Sequence, residues 1–194
     1  MPETSFSLLE RLRSQPDDAS WRLLLDLYTP LVRSWLRRHG LAGCDAEDLV
    51  QEVLAVVVRE LPHFEHSRRP GAFRGWLRAV VLNRWRDFWR ARRDRPVAPG
   101  GSDFARALDQ LADPHSELSL LWDREHDRHV LGHLLRLVEP EFSPPTWRAF
   151  RRLVLEGARP ADVAAEQGTS VNAVFIAKSR VLQRLRQEAR GLLD

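Results

Sequence analysis

Residues 159–189 read RPADVAAEQGTSVNAVFIAKSRVLQRLRQEA and predict two helices joined by a tight turn. Pro160 opens the first helix, Gly168 ends it, and Ser170 caps a second, longer helix. A short helix, a glycine-containing turn of about three to four residues and a longer basic helix are typical of a helix-turn-helix. The residues expected to pack between the two helices are Ala164, Val174 and Leu182. A purely structural helical hairpin is the alternative, which the crowding of basic residues on the last helix disfavours.

Upstream of this stretch the hydrophobic spacing is also helical. Apolar residues recur at the i, i+3, i+4, i+7 positions of an amphipathic helix. We predict helices over residues 21–36, 45–61, 72–93, 117–139 and 146–156. Ser20 and Asp45 are the predicted N-caps of the first two, and Pro30 predicts a kink or a break near Tyr28. No strand-like alternation occurs, so the sequence predicts an all-α fold.

A change of composition divides the chain. Pro96, Pro99, Gly100 and Gly101 form a cluster of helix breakers, and Asp113-Pro114 closes the segment. The sequence therefore predicts two small helical domains, residues 1–95 and 117–194, joined by a flexible linker over residues 96–116.

Length and composition limit the class of protein. The 194 residues are 43% hydrophobic, which is sufficient for a packed core. Cys44 is the single cysteine, so no internal disulfide framework can form. No signal peptide or membrane-length apolar run is recognisable, and we expect a cytoplasmic protein without a membrane partner.

The strongest charge signal lies at residues 68–95, which hold ten arginines, two acids and three of the seven tryptophans. Cations that neutralise phosphates and flat side chains on which bases stack favour binding to single-stranded or distorted nucleic acid. An amphipathic helix whose arginines lie over a core that the tryptophans fill is the alternative. Residues 146–190 form a second basic zone, which indicates two DNA-contacting modules.

Taken in order, these segments resemble an extracytoplasmic-function (ECF) sigma factor of the sigma-70 family over nearly the whole chain. DAEDLVQEVLAVVVRELPHF (45–64) is similar to the helix that docks on the β′ clamp of RNA polymerase. FRGWLRAVVLNRWRDFWRARR (73–93) is similar to the region that opens and reads the −10 element. Residues 146–186 resemble the module that reads the −35 element.

The resemblance implies a non-enzymatic subunit that directs core polymerase to promoters, helps to melt the −10 region and binds the −35 duplex. The implied partners are the β′ clamp and β flap of core RNA polymerase, promoter DNA in duplex and single-stranded form, and an anti-sigma factor. No cofactor is implied.

The resemblance also assigns roles to particular residues. Polymerase binding is implied for Asp45, Asp48, Gln51 and Glu52. Contacts to −10 DNA are implied for His66, Ser67, Arg68, Arg69, Arg74, Arg78, Asn83, Arg86, Asp87 and Arg90. Contacts to −35 DNA are expected for Ser170, Asn172, Lys178, Ser179, Arg180 and Arg184. Asn83 and Asp87, four residues apart, would contact a base or bond each other.

One departure from the family concerns the last helix. Phe175, Ile176 and Ala177 occupy the place where many members carry Lys-Ser-Arg, so the common base contacts cannot be transferred to these positions. Phe175 would touch a thymine methyl group or pack into the core.

Other functions are open at this point. Asp45, Asp48 and Glu52 share a helix face, which would also suit a metal-dependent nuclease or a merely solvated surface. Tyr28 would serve a recombinase, but its place on an apolar stripe predicts burial. A DNA-binding regulator that never contacts polymerase is a third reading.

Histidines offer a competing site on the helix that leads the second module. A metal site could use two or three of His126, His129 and His133. We expect a solvated, buffering face instead, because no cysteine is nearby and no HExxH motif occurs.

Overall fold

The computed structural model describes residues 7–64, 71–92 and 101–193, which are helical and contain no strand. The longer helices are α1 (Leu8–Ser14), α2 (Asp18–Arg38), α3 (Gly43–Glu60), α4 (Ala72–Arg92), α5 (Gly101–Ala112), α6 (Glu117–Val138), α7 (Pro144–Phe150), α8 (Pro160–Gln167) and α9 (Val171–Ala189). Short 3₁₀ turns follow α3 and α6, and a π-helical turn at Arg151–Leu155 continues α7. The all-α prediction is confirmed.

Contacts divide the chain within α6. The N-terminal unit comprises Leu8–Val130 with Gly191–Asp194, and the C-terminal unit comprises Leu131–Arg190 with Met1–Ser7. The sequence places the division at residues 96–116 instead. The first half of α6 belongs to the N-terminal unit because its apolar side chains, Trp122 among them, are buried in that unit's core.

The predicted linker is not an extended chain throughout. Residues 101–112 form α5, which packs against α4, and Leu111 is buried. Gly101 is therefore the first residue of a helix and not part of a long flexible segment. The sequence does not predict α5, because the prolines and glycines at positions 96–101 indicate a linker.

The N-cap predicted for α2 is wrong, and so is a break near Tyr28, which was one of the two effects predicted for Pro30. Its N-cap is Asp17, whose carboxylate accepts hydrogen bonds from the Ser20 amide at 2.7 Å and the Ser20 hydroxyl at 3.0 Å. The helix also runs unbroken through Pro30. Leu27, Tyr28 and their neighbours one turn on are buried, so packing offsets the backbone hydrogen bond that proline cannot make.

The start of α3 differs by two residues from the prediction. Ala42 holds the N-cap position, and Asp45 lies in the first turn, where its charge faces the positive end of the helix dipole.

Within the C-terminal unit, the α8–α9 pair begins and ends where the sequence predicts. Gly168 ends α8 with a left-handed backbone (φ +60°), a conformation that glycine adopts without strain. The Ser170 hydroxyl accepts a hydrogen bond from the Ala173 amide at 3.1 Å and caps α9. Small buried side chains let the helices approach closely: Ala149, Val163, Ala164, Val174 and Ala177. Leu182 is half-buried.

Candidate functional site

The acidic face of α3 projects away from its core. Asp48, Gln51 and Glu52 are exposed and Asp45 is half-buried. Leu49, Val50 and Val53, on the other side of the helix, are buried. Neither Asp48 nor Glu52 forms an ion pair or hydrogen bond with any residue that the structure describes. Two carboxylates one turn apart are therefore available to a basic partner.

Another acid of α3, Glu47, was not predicted as a functional residue and forms ion pairs inside the N-terminal unit. Arg33 Nε donates to both carboxylate oxygens of Glu47 at 2.9 Å, and Arg37 Nη2 donates to the same group at 3.0 Å. Hydrogen bonding from Arg33 is the largest influence that lowers the pKa of Glu47. The contrast shows that α3 separates an acid that binds α2 from acids that face solvent.

Four of the residues implied in −10 contacts, His66, Ser67, Arg68 and Arg69, lie outside the described residues. The remaining ones are all on α4.

Arg74 and Arg78 are ion-paired with α6 inside the N-terminal unit. Arg74 Nη1 lies 2.7 Å from both carboxylate oxygens of Asp127, and its Nε lies 3.1 Å from Asp123. Arg78 Nη1 lies 3.3 Å from Asp123. The two arginine side chains are only 19% and 13% exposed. These pairings hold both side chains against α6, and the DNA contacts that the sequence predicts for them stay a prediction.

The signal for this pairing was present in the sequence. Asp123 and Asp127 are four residues apart on α6, and Arg74 and Arg78 are four residues apart on α4. Residues at this spacing lie on one face of a helix, so the two acids can pair with the two arginines of a neighbouring helix. Burial opposes ionisation of Asp127, but hydrogen bonds from His126 and Arg74 outweigh it and hold the pKa of its carboxyl below the ordinary value.

The outer face of α4 carries a different set. Asn83 and Arg90 are exposed, and Arg86 between them is half-buried; the i, i+3, i+7 spacing places all three on one side of the helix. Asp87 pairs with Arg84 at 2.6 Å and with Arg90 at 3.8 Å, so it is not the partner of Asn83 that the sequence allows for.

The tryptophans of α4 divide between core and periphery. Trp85 is fully buried and packs edge-on against Trp35, with ring centroids 5.6 Å apart. Trp76 and Trp89 are half-buried, and Trp76 lies against Phe64 with centroids 5.0 Å apart. For Trp85 the core interpretation of the basic segment is therefore correct.

The histidines of α6 do not form a solvated face. His126 is fully buried; its Nε2 lies 3.2 Å from the Tyr28 hydroxyl and its Nδ1 lies 3.1 Å from Asp127. A neutral ring with its proton on Nδ1 satisfies both bonds, and burial lowers the pKa of His126. His129 Nε2 donates to the Leu27 carbonyl at 2.6 Å. The prediction of a solvated face is wrong for His126.

The alternative active sites lose support from the same contacts. Tyr28 is buried as predicted, and burial raises the pKa of its hydroxyl well above 10.0, which is the opposite of what an attacking tyrosine needs. Among the described residues, no group of three histidine, cysteine, aspartate or glutamate side chains is placed to hold a metal ion.

On α9 the predicted −35 residues are mostly accessible. Asn172, Ser179 and Arg180 are exposed and Lys178 is half-buried, while the Ser170 hydroxyl serves as the helix cap. Phe175 is 45% exposed, which excludes core packing.

Arg184 differs from the other predicted −35 residues. Its Nε and Nη2 donate to Glu141 at 2.7 and 2.9 Å, and its Nη1 lies 2.6 Å from Glu188, whose side chain is 2% exposed. Arg184 thus takes part in an ion-pair network inside the C-terminal unit, and the phosphate contact predicted for it stays a prediction.

Comparison with known proteins relates the chain to RNA polymerase sigma factors. Residues 24–95 match the sigma-70 region 2 family, which covers most of α2, all of α3 and α4. The chain is 26% identical to the ECF RNA polymerase sigma factor RpoE of Cereibacter sphaeroides, over 93% of this chain and 92% of that protein. It is 29% identical to the ECF RNA polymerase sigma factor SigF of Caulobacter vibrioides, over 90% of this chain and 88% of that protein. The chain is therefore similar to ECF sigma factors over nearly its whole length, and its residues 24–95 match region 2 of the sigma-70 family. No helix within the described ranges has the length and apolar character needed to cross a bilayer.

Proposed function

We propose that this chain is the sigma subunit that brings core RNA polymerase to its promoters, docks on the polymerase through α3, contacts the −10 region through α4, and reads the −35 duplex through α9. Its role in transcription initiation follows from the region 2 match and from the two ECF relatives that span about nine-tenths of the chain. The observation that carries the finer assignment lies on α3, where Glu47 is paired with arginines of α2 and the exposed Asp48 and Glu52 have no partner among the described residues. Such a subunit acts through binding energy and needs no reacting side chain.

Polymerase docking is assigned to Asp48, Gln51 and Glu52, with Asp45 at the edge of the same face. Support comes from their exposure and from the absence of described internal partners for Asp48 and Glu52. The complementary surface would be basic, which on the family resemblance is the β′ clamp; the β flap would be met by the C-terminal unit.

Contact with the opened −10 strand is assigned to the face of α4 that carries Asn83, Arg86 and Arg90. Arginines neutralise phosphates along a single strand, and an amide can hydrogen-bond a base edge. The segment His66–Arg69, outside the described residues, is the family's place for capturing an extruded base. Extrusion costs a few kcal/mol, which stacking of about 1 to 3 kcal/mol per base offsets.

Recognition of the −35 duplex is assigned to the first turns of α9. Asn172, Ser179 and Arg180 are exposed, and a capped N-terminus that enters the major groove brings short polar side chains to base edges. Arg184 is excluded from this set because of its internal ion pairs. An anti-sigma factor would act by covering any of these three surfaces, and the cytoplasm is the compartment where they would be used.

The test of the docking surface is a charge reversal. The double substitution Asp48→Arg and Glu52→Arg should abolish retention of the protein by immobilised core polymerase, because two attractive contacts become repulsive, while far-UV circular dichroism stays unchanged. The matched control is Asp109→Arg with Glu117→Arg, which makes the same change of charge at exposed positions on α5 and α6. Retention of the first variant, or equal loss in both, would contradict the assignment.

A further inference from the structure

The first two turns of α9 carry an apolar surface that no described residue covers. Val171 is 40%, Phe175 45% and Ile176 50% exposed. Val174 and Ala177 on the opposite side are buried against α8 and α7, so packing of the helix pair fixes which side of α9 faces outward. Phe175 and Ile176 point away from the core for that reason, and no adjustment within the unit can bury both.

Polar groups surround these side chains on the same face. Asn172, Phe175, Ile176 and Ser179 follow the i, i+3, i+4, i+7 spacing of one helix side, and Arg180 lies at its border. An apolar pair between an amide, a hydroxyl and a guanidinium differs from a plain hydrophobic docking patch, which is apolar at its centre and polar only at a distant rim. Apolar and hydrogen-bonding side chains on one face suit the major groove of DNA, where base edges present both hydrogen-bonding groups and methyl groups.

Base-pair edges in the major groove carry one apolar group, the C5-methyl group of thymine. The other distinguishing groups there are hydrogen-bond donors and acceptors, which an aromatic or aliphatic side chain would desolvate without compensation. An exposed phenylalanine and isoleucine in the reading turns of a recognition helix therefore favour thymine over any other base.

We propose that Phe175 and Ile176 are specificity-determining residues that read thymine methyl groups in the upstream duplex element. The inference rests on the proposed function of α9 and deepens it: the element contains thymines at the base pairs that these side chains reach, and their methyl groups contribute to recognition. Asn172 and Ser179 supply the hydrogen bonds at neighbouring edges.

The test uses holoenzyme reconstituted from core RNA polymerase and the full chain. A duplex is first selected by the wild-type holoenzyme from a pool randomised over the upstream element. Each thymine of the selected duplex is then replaced singly by deoxyuridine, which removes the methyl group and keeps every hydrogen-bonding atom. We expect the wild type to lose about fourfold in affinity at each contacted position, the value of one buried methyl group.

The variants assign the methyl groups to side chains. Phe175→Ala should bind thymine and deoxyuridine duplexes equally at one position, and Ile176→Ala should do so at another. Leu120→Ala, a substitution at an equally exposed leucine on α6, should keep the wild-type pattern at all positions.

The possible results separate this inference from the proposed function. If no sequence is selected, α9 does not read an upstream element, and both the function assigned to it and this inference fail. If a sequence is selected but deoxyuridine has no effect, or if Phe175→Ala and Ile176→Ala keep the wild-type sensitivity, only the inference fails. If the two variants instead lose affinity for core polymerase, the apolar pair docks on protein and the inference is overturned.

Discussion

Replacing Trp122 by alanine tests whether the first half of α6 is part of the N-terminal unit. The Trp122 side chain is 1% exposed and packs edge-on against Trp35 of α2, with ring centroids 5.0 Å apart. Its indole N–H forms no hydrogen bond with the described residues, so the substitution removes packing alone. Deletion of a buried tryptophan costs about 3 to 5 kcal/mol of unfolding free energy. The expected loss is a large fraction of the stability of a domain, which is about 5 to 15 kcal/mol.

The assay is urea unfolding of the full chain at 25 °C, followed by far-UV circular dichroism. With a slope of about 2 kcal/mol per molar urea, the midpoint should fall by roughly 1.5 to 2.5 M. Leu120→Ala, two residues away and 48% exposed, is the control and should change the free energy by no more than about 0.5 kcal/mol. Amide hydrogen exchange should quicken in α2 and α4 for the tryptophan variant. Equal midpoints for the two variants would refute the packing of α6 on α2.

Further predictions concern charge. Arg184→Ala should lower the unfolding free energy by about 1.5 to 3 kcal/mol in urea titrations, because it removes the ion-pair partner of a buried carboxylate. Arg180→Ala should keep the stability and lower the salt slope of duplex binding by about one; a reversed pattern would contradict both assignments. Burial lowers the pKa of His126 in the folded state. Its contribution to the free energy of unfolding is therefore fully present above about pH 6.5 and is lost as the pH falls below that value. Urea titrations between about pH 7.5 and 5.5 should show this decline, and a flat profile would contradict it. The double substitution Arg86→Ala and Arg90→Ala should weaken open-complex formation more on duplex promoters than on templates with a pre-melted bubble, because the bubble removes part of the cost of melting. Equal losses on both templates would mean that these arginines only neutralise phosphates.

The helix positions were largely predictable from the sequence. Hydrophobic periodicity predicts the ends of α4 and α6 to within one residue. Gly168 and Ser170 correctly indicate the turn between α8 and α9. These signals are local, since they depend on side-chain spacing and on the backbone preferences of single residues. The helix at 101–112 was not predicted because Gly101, its first residue, belongs to a proline- and glycine-rich sequence that favours a linker.

The roles of individual charges were harder to predict because they depend on long-range pairing. Arg74, Arg78 and Arg184 look like their exposed neighbours in the sequence, yet each faces a carboxylate from a distant part of the chain. The burial of His126 has the same cause, since its partner Tyr28 lies on α2. Which charged residues of such a helix face solvent therefore depends on the element that packs against it, and this cannot be inferred from the helix sequence alone.

The exposure of Phe175 could not be decided from the sequence either. Hydrophobicity alone favoured the core, while its place in the second turn of α9 favoured DNA. Packing of Val174 and Ala177 against α8 and α7 decides the orientation and leaves Phe175 outside.

Run-off transcription tests the central claim most directly. Core RNA polymerase with and without the purified chain is supplied with the DNA upstream of the chain's own coding sequence, and the transcripts are mapped. We expect a specific start site that requires the chain and that disappears with the Asp48→Arg, Glu52→Arg variant. A transcript pattern that is the same with and without the chain, although the chain binds the DNA, would mean that the chain is a regulator that acts without polymerase and not a sigma subunit.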